Sequence, residues 1–247
     1  MRLATTAGLA AALLCLASTA RAQDEVPFIT TDELKKAMAA PAKTWKHVLI
    51  DARAKVEFGE GHIKGAVNLP AADTESKLGE LAKDKSLMLV FYCNGPRCTK
   101  SVKGAKIARG MGYANVKVYN EGLPAWAKGK LPLEGKPFAP FEAETISAQA
   151  LQDILRDSGG ALVIDIRDAV EYQGFHIAQT KSIPLDEIPD RLAELPADKV
   201  IVMVDHIGHQ TPLASRLLNG HGRSKLKRLD GGIMAWRSQG LPVVSKK

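Results

Sequence analysis

The chain has 247 residues, 45% hydrophobic and 25% charged, a make-up that excludes the disordered and fibrous classes and fits a globular protein with room for one large domain or two ordinary ones. Its formal charge of +7 comes with only 5% aromatic residues, too few to put stacking platforms beside a basic patch, so nucleic acid is not an expected partner.

The first stretch, "MRLATTAGLAAALLCLASTARAQDE", has Arg2, an apolar run from Leu9 to Ala17 and the small-x-small triplet Ala20-Arg21-Ala22. This is the pattern of a cleaved export signal over residues 1–22. The apolar run is far short of the roughly 20 residues a membrane anchor needs. The sequence therefore predicts a periplasmic or secreted protein with no stable anchor after cleavage. Cleavage would also remove Cys15, leaving Cys93 and Cys98 as the only thiols. Two cysteines so close cannot be a framework staple.

Helical and β-rich segments then alternate. "TTDELKKAMA" has Thr30 and Glu33 at capping-box spacing, and "HVLID", "LMLVFY" and "VKVY" read as buried strands. Helices are expected from about Thr99 to Gly112 and around Trp126. Apolar strands separated by helices imply a parallel sheet covered on both faces.

The pattern then recurs. "VLIDARAKVEFGEGHIKGAVNLP" (48–70) lies without a gap over "LVIDIRDAVEYQGFHIAQTKSIP" (162–184), matching Asp51, Arg53, Glu57 and His62 to Asp165, Arg167, Glu171 and His176. "EGLPAWAKGKLP" (121–132) matches "GGIMAWRSQGLP" (231–242). The fold class is α/β, with two tandem α/β/α domains at 28–137 and 138–247, each with a central parallel sheet, joined near the proline-rich "LEGKPFAPFEAE".

In open α/β sheets the reactive crevice lies where strands end and helices begin. Cys93 follows a strand, Thr99 opens a helix, and Asn94, Gly95, Pro96, Arg97 and Cys98 lie between. A tight curve there is expected to turn backbone N–H groups inward, lowering the thiol pKa of Cys93 and holding a thiolate, persulfide or sulfur oxyanion. Cys93 is the candidate nucleophile and residues 94–99 the candidate substrate-binding loop. Cys98 reads either as a small packing residue or as a thiol able to attack a Cys93 persulfide. Because His62 recurs as His176 although only one copy has a cysteine, His62, Asp51 and Arg53 read as structural support, and Trp126 and Trp236 as core anchors. Asp205, His206, His209 and His221 are weak evidence for a metal, and solvated or capping roles are preferred.

With its "DAR" at 51–53, "FGEGHIKGA" at 58–66, the cysteine at 93 and "GLPAW" at 122–126, the chain resembles the rhodanese family of sulfurtransferases in a tandem arrangement. The resemblance implies thiosulfate sulfurtransferase-type chemistry without cofactor or metal. Cys93 would take sulfane sulfur from a small anionic donor such as thiosulfate, hold it as a persulfide and pass it to a thiophilic acceptor such as cyanide or a thiol. A related family of cysteine phosphatases places an arginine six residues after its cysteine; here Thr99 stands there, which disfavours phosphate chemistry. The gapless alignment puts Ile207 opposite Cys93, so the second copy is expected to be a scaffold, a wall of the first domain's cleft or a partner-binding surface. Residues 28–137 carry 19 Lys+Arg against 11 Asp+Glu, and residues 138–247 carry 13 against 14, so the basic half is the one with the thiol and would steer anions toward it. Two alternatives remain: a persulfide carrier fed by a partner, and a Cys93–Cys98 dithiol redox protein, although the usual redox motif spaces its cysteines by two residues, not four.

Overall fold

The structure is a computed structural model and describes residues 25–40, 46–157 and 160–245. The predicted export signal and the Cys15 reading lie outside the described residues. No described helix is long and apolar enough to cross a membrane. The chain divides into two compact units, the first ending at Gly135 and the second beginning at Lys136.

In the first unit, helix α1 (Thr31–Met38) opens on the expected capping box: Thr30 N–H donates to Glu33 Oε2 at 2.8 Å and Glu33 N–H donates back to Thr30 Oγ1 at 3.3 Å. Strand β1 (His47–Asp51), the short helix α2 (Lys55–Glu60), the two-residue strands β2 (His62–Ile63) and β3 (Val67–Asn68), and helix α3 (Thr74–Leu81) follow. Next come β4 (Met88–Tyr92), α4 (Lys100–Gly110), β5 (Val116–Tyr119), α5 (Gly122–Lys128) and β6 (Leu133–Glu134). The main sheet is parallel throughout, in the order β3-β1-β4-β5, and β2 pairs antiparallel with β6.

Two-residue alternation divides the strands between two cores. Ile50, Leu89, Phe91, Val116 and Val118 pack with Leu78 of α3 and with Ala105 and Ala108 of α4. Leu49, Val90, Tyr92 and Tyr119 pack with Leu34 of α1 and Trp126 of α5. Helices therefore cover both faces, which is why each strand reads as a continuous apolar run.

The second unit repeats the plan. Its elements are β7 (Glu144–Ile146), α6 (Ala148–Arg156), β8 (Ala161–Asp165), α7 (Ala169–Gly174), β9 (Phe175–His176), β10 (Lys181–Ser182), β11 (Val200–Val204), α8 (Thr211–Gly220), β12 (Leu226–Leu229), α9 (Gly232–Ser238) and β13 (Val244–Ser245). The parallel sheet runs β10-β8-β11-β12-β7, with β13 antiparallel to β9. Trp126 and Trp236 anchor their units alike: each is buried, and each indole N–H donates to a proline carbonyl six residues on, Pro132 at 3.0 Å and Pro242 at 2.9 Å.

Candidate active-site loop

Strand β1 ends in Asp51 and its neighbour β4 in Tyr92, in register. The next residue on β4 is Cys93, so its thiol lies at the carboxyl edge of the sheet, where the chain must turn before α4 can begin. Gly95 makes the turn in the left-handed region at φ 96°, and the Cys98 N–H closes it on the Gly95 carbonyl at 2.9 Å. Helix α5 supports the loop from beside it: Leu123 N–H donates to the Cys93 carbonyl at 2.9 Å. Gly122, at φ 67°, has to be glycine, because a Cβ there would lie 2.5 Å from the Gly95 nitrogen and closer still to the Cys93 carbonyl oxygen.

Cys93 is only 2% exposed. Its sulfur lies 3.2 Å from the hydroxyl of buried Ser101, the second residue of α4. It is 3.2 Å from the Cys98 carbonyl and 4.0 Å from the Gly95 carbonyl. The expected ring of inward amides is therefore mixed: two carbonyl oxygens also face the sulfur, because the longer loop folds back on itself at Cys98. The balance still favours the thiolate. The Cys98 thiol donates to the Cys93 sulfur, the Ser101 hydroxyl and the amides of Ser101 and Asn94 add to it, and together they outweigh burial and lower the Cys93 pKa to about 6. The same hydrogen bond, with burial and the neighbouring thiolate, pushes the Cys98 thiol well above its ordinary value. Cys93 is the ionised partner and Cys98 the protonated one.

Asp51 and Arg53 form the expected buried ion pair, with Arg53 Nε 2.9 Å from Asp51 Oδ1 and Nη2 2.6 Å from Oδ2. The pair also reaches the loop. Arg53 Nη1 lies 3.5 Å from Asn94 Oδ1, and Asn94 Nδ2 donates to Glu57 Oε1 at 2.6 Å. Asn94 is thus held between the two charged side chains. His62 has no contact with the loop: its Nδ1 lies 2.8 Å from the Phe58 carbonyl and its ring stacks on Phe58 at 3.6 Å. His176 repeats this with the Tyr172 carbonyl at 3.0 Å and the Tyr172 ring at 4.0 Å, so the two units hold their histidines alike. Pro96, Arg97 and Thr99 are exposed, and Thr99 makes no side-chain cap to α4.

The second unit corrects one expectation. Asp165 pairs with Val204 as Asp51 pairs with Tyr92, so the residue in the place of Cys93 is Asp205, not Ile207. The Asp205 carbonyl accepts from Ile233 N–H at 2.8 Å, just as the Cys93 carbonyl accepts from Leu123. Further along, Gly112 and Gly222 both end their helices at positive φ, and the next amides, Tyr113 and Arg223, return to Ala108 and Leu218. That register places Ser101 opposite Thr211. From Cys93 to Ser101 is eight positions and from Asp205 to Thr211 six, so the first loop is two residues longer. The gapless alignment missed Asp205 because of an earlier difference: Pro70 and Pro184 are 114 positions apart but Tyr92 and Val204 only 112, so the second unit is two residues shorter before β11 as well. The paired helix-ending glycines were the sequence signal that would have located the difference within the loop.

Asp205 is 1% exposed, and its carboxylate fills the loop that follows it. Oδ2 accepts from Gln210 N–H at 2.5 Å and Thr211 N–H at 3.0 Å, and Oδ1 accepts from Gly208 N–H. The second loop is an amide cradle with its anion built in. His206, in the place of Asn94, pairs with Glu171 at 3.2 Å. The described residues contain no cluster of three or more metal-ligating side chains.

The rhodanese-like domain family matches residues 30–129 and again 147–239. A sulfurtransferase of Allochromatium vinosum is 32% identical over 100 residues, covering 40% of this chain and 94% of the relative. An HTH-type transcriptional regulator of Mycobacterium tuberculosis is 41% identical over 90 residues, but the match covers 36% of this chain and 39% of the regulator. A solved thiosulfate sulfurtransferase of Pseudomonas aeruginosa is similar at 21% identity and a TM-score of 0.43, over 90% of this chain and 44% of that one. The chain spans less than half the length of the regulator and of the solved enzyme.

Proposed function

This chain belongs to the rhodanese-like family, with one domain in each half, and on that premise we propose that it is a sulfurtransferase whose chemistry is confined to Cys93. The observation that carries the proposal is the Cys93 sulfur, buried at the strand-to-helix turn and held as a thiolate near neutral pH by the Cys98 and Ser101 donors. The family match and the named sulfurtransferase relative support the transferase class.

With thiosulfate as donor, the Cys93 thiolate attacks the sulfane sulfur, the sulfur–sulfur bond of thiosulfate breaks and sulfite leaves with its electron pair. Cyanide or a thiolate then attacks the terminal sulfur of the Cys93 persulfide and restores the thiolate. The enclosed thiol cannot meet a donor without movement of the loop, and the Cys98 carbonyl must turn from the sulfur to make room for a second one. Ser101 and the Asn94 amide remain as donors. Arg97, exposed on the loop in the more basic unit, attracts the anionic donor. The reading of residues 1–22 as an export signal places the reaction outside the cytoplasm, which cell fractionation checks. The second unit, whose cradle is already filled, serves as scaffold or partner surface.

The test is thiocyanate formation from thiosulfate and cyanide by the full chain and by Cys93→Ser. Turnover by the first and none by the second is the expected result. Persistent activity in Cys93→Ser overturns the assignment. A Cys93 adduct heavier by one sulfur atom but without turnover makes the protein a carrier instead.

A further inference from the structure

The extra length of the first loop brings in a second thiol. Cys98 is where that loop folds back: its N–H closes on Gly95, its carbonyl lies 3.2 Å from Cys93 Sγ, and its thiol is the neighbour that most lowers the Cys93 pKa. Both cysteines are free. The shorter loop at Asp205 has no cysteine, nor has the rest of the second half.

We propose that Cys98 is a resolving thiol, which gives the protein a second activity: release of the carried sulfur as sulfide. The inference rests on the reading of Cys93 as a sulfur carrier. In the loaded state Cys93 bears a persulfide anion and Cys98 is protonated beside it. The Cys98 proton passes to the terminal sulfur, the Cys98 sulfur attacks Cys93 Sγ, and the bond between Cys93 Sγ and the terminal sulfur breaks. The products are a Cys93–Cys98 disulfide and hydrosulfide, HS⁻. The departing sulfur leaves reduced, as sulfide, and the two cysteines are oxidised to the disulfide, so charge, protons and electrons balance. An external dithiol returns the disulfide to the starting pair for the next cycle. Before loading, Cys98 stays protonated and unreactive because it is bonded to the Cys93 thiolate. The second activity therefore waits for a sulfur to be carried, and it competes with transfer to an acceptor.

The experiment loads the full chain with thiosulfate, without oxygen and without acceptor, and follows intact mass and free sulfide together in the wild type, Cys98→Ser and Cys98→Ala. In the wild type, a form heavier by one sulfur atom should decay to one lighter by two hydrogens than the reduced protein, with an equal amount of sulfide. Both variants should stop at the heavier form and release none. If the heavier form persists in the wild type, or if the disulfide forms without sulfide, the inference is overturned while sulfur transfer by Cys93 stands. If no heavier form appears in any of the three, the carrier reading fails and this inference with it. Two variants are used so that a folding defect in one, visible in its thermal unfolding, does not decide the result.

Discussion

At the carboxyl end of equivalent strands one unit places Cys93 and the other Asp205, and the residues that follow treat the two side chains in opposite ways. Around Asp205 three backbone amides converge on a carboxylate that cannot leave. Around Cys93 a longer loop mixes donors with two carbonyl oxygens, so the sulfur faces donors and acceptors at once. The shorter loop shows what the cradle looks like when its anion is permanent, and the longer one what it looks like while waiting. One copy thus fills its cradle with its own carboxylate while the other holds a thiol in the same place.

The largest expected effect comes from emptying the filled cradle. Asp205→Ala leaves the amides of Gly208, Gln210 and Thr211 without their acceptor in a buried site, at a cost of about 3 kcal/mol. Thermal unfolding of the full chain measures it. Sulfate or thiosulfate should recover part of the loss in the variant and do nothing for the wild type, because only the variant has a vacant cradle. An unchanged unfolding temperature would mean that the carboxylate is not what holds the second loop.

Glycine substitution sharpens the comparison at a place where the two units agree. Gly122 and Gly232 sit at φ 67° and 60°, and a Cβ on either would collide with its loop, at the Cys93 carbonyl and Gly95 nitrogen in the first unit and at the Asp205 carbonyl and carboxylate in the second. Gly122→Ala and Gly232→Ala should each cost about 2 kcal/mol or more, since both the clash and the left-handed backbone oppose a side chain. Only Gly122→Ala should also lower sulfur transfer, because only that glycine abuts the thiol loop. Equal losses of activity from both would break the assignment of chemistry to one unit.

Next in size is the ionisation of Cys93. Its pKa is lowered, so the thiolate fraction falls as pH drops below about 6 and is nearly complete one to two pH steps above it. Activity limited by the thiolate should follow that curve: low in acid, rising through about 6 and then flat. Because the Cys98 hydrogen bond is the main cause of the lowering, Cys98→Ala should move the midpoint up toward the ordinary thiol range near pH ~8.5. Ultraviolet thiolate absorbance in that variant, where Cys93 is the remaining described thiol, reads the midpoint directly.

Much of this was legible from the chain alone, for reasons the structure makes plain. Asp51, Arg53 and His62 recur as Asp165, Arg167 and His176 because the buried ion pair and the stacked, carbonyl-bonded histidine belong to the scaffold, which both copies need. The strands were legible because burial on both faces makes each one apolar throughout. Ser101 was not, because a small hydroxyl residue in the first turn of a helix looks like any other. Asp205 was hidden by an earlier shortening: the second unit loses two residues between Pro184 and Val204 relative to the stretch from Pro70 to Tyr92, which moves the alignment past the carboxylate. The inward amides expected around Cys93 are found intact only around Asp205, since a loop with two more residues has the freedom to turn carbonyls inward.

The smallest expected effects lie at the first residue of each loop. Asn94 bridges Arg53 and Glu57, with its bond to Glu57 at 2.6 Å, whereas His206 meets Glu171 at 3.2 Å with 48% of its side chain exposed. A partly buried hydrogen bond to a charged group is worth more than a half-exposed surface contact, so Asn94→Ala should cost about 1.5 kcal/mol and His206→Ala no more than about 0.5 kcal/mol. The two should separate in function as well. Asn94 positions the amide next to the thiolate, so its loss should raise the Cys93 midpoint as well as lower stability, while His206→Ala should leave that midpoint where it was. A midpoint unmoved in Asn94→Ala would reduce Asn94 to a structural tie, and the tuning of Cys93 would then rest on Cys98 and Ser101.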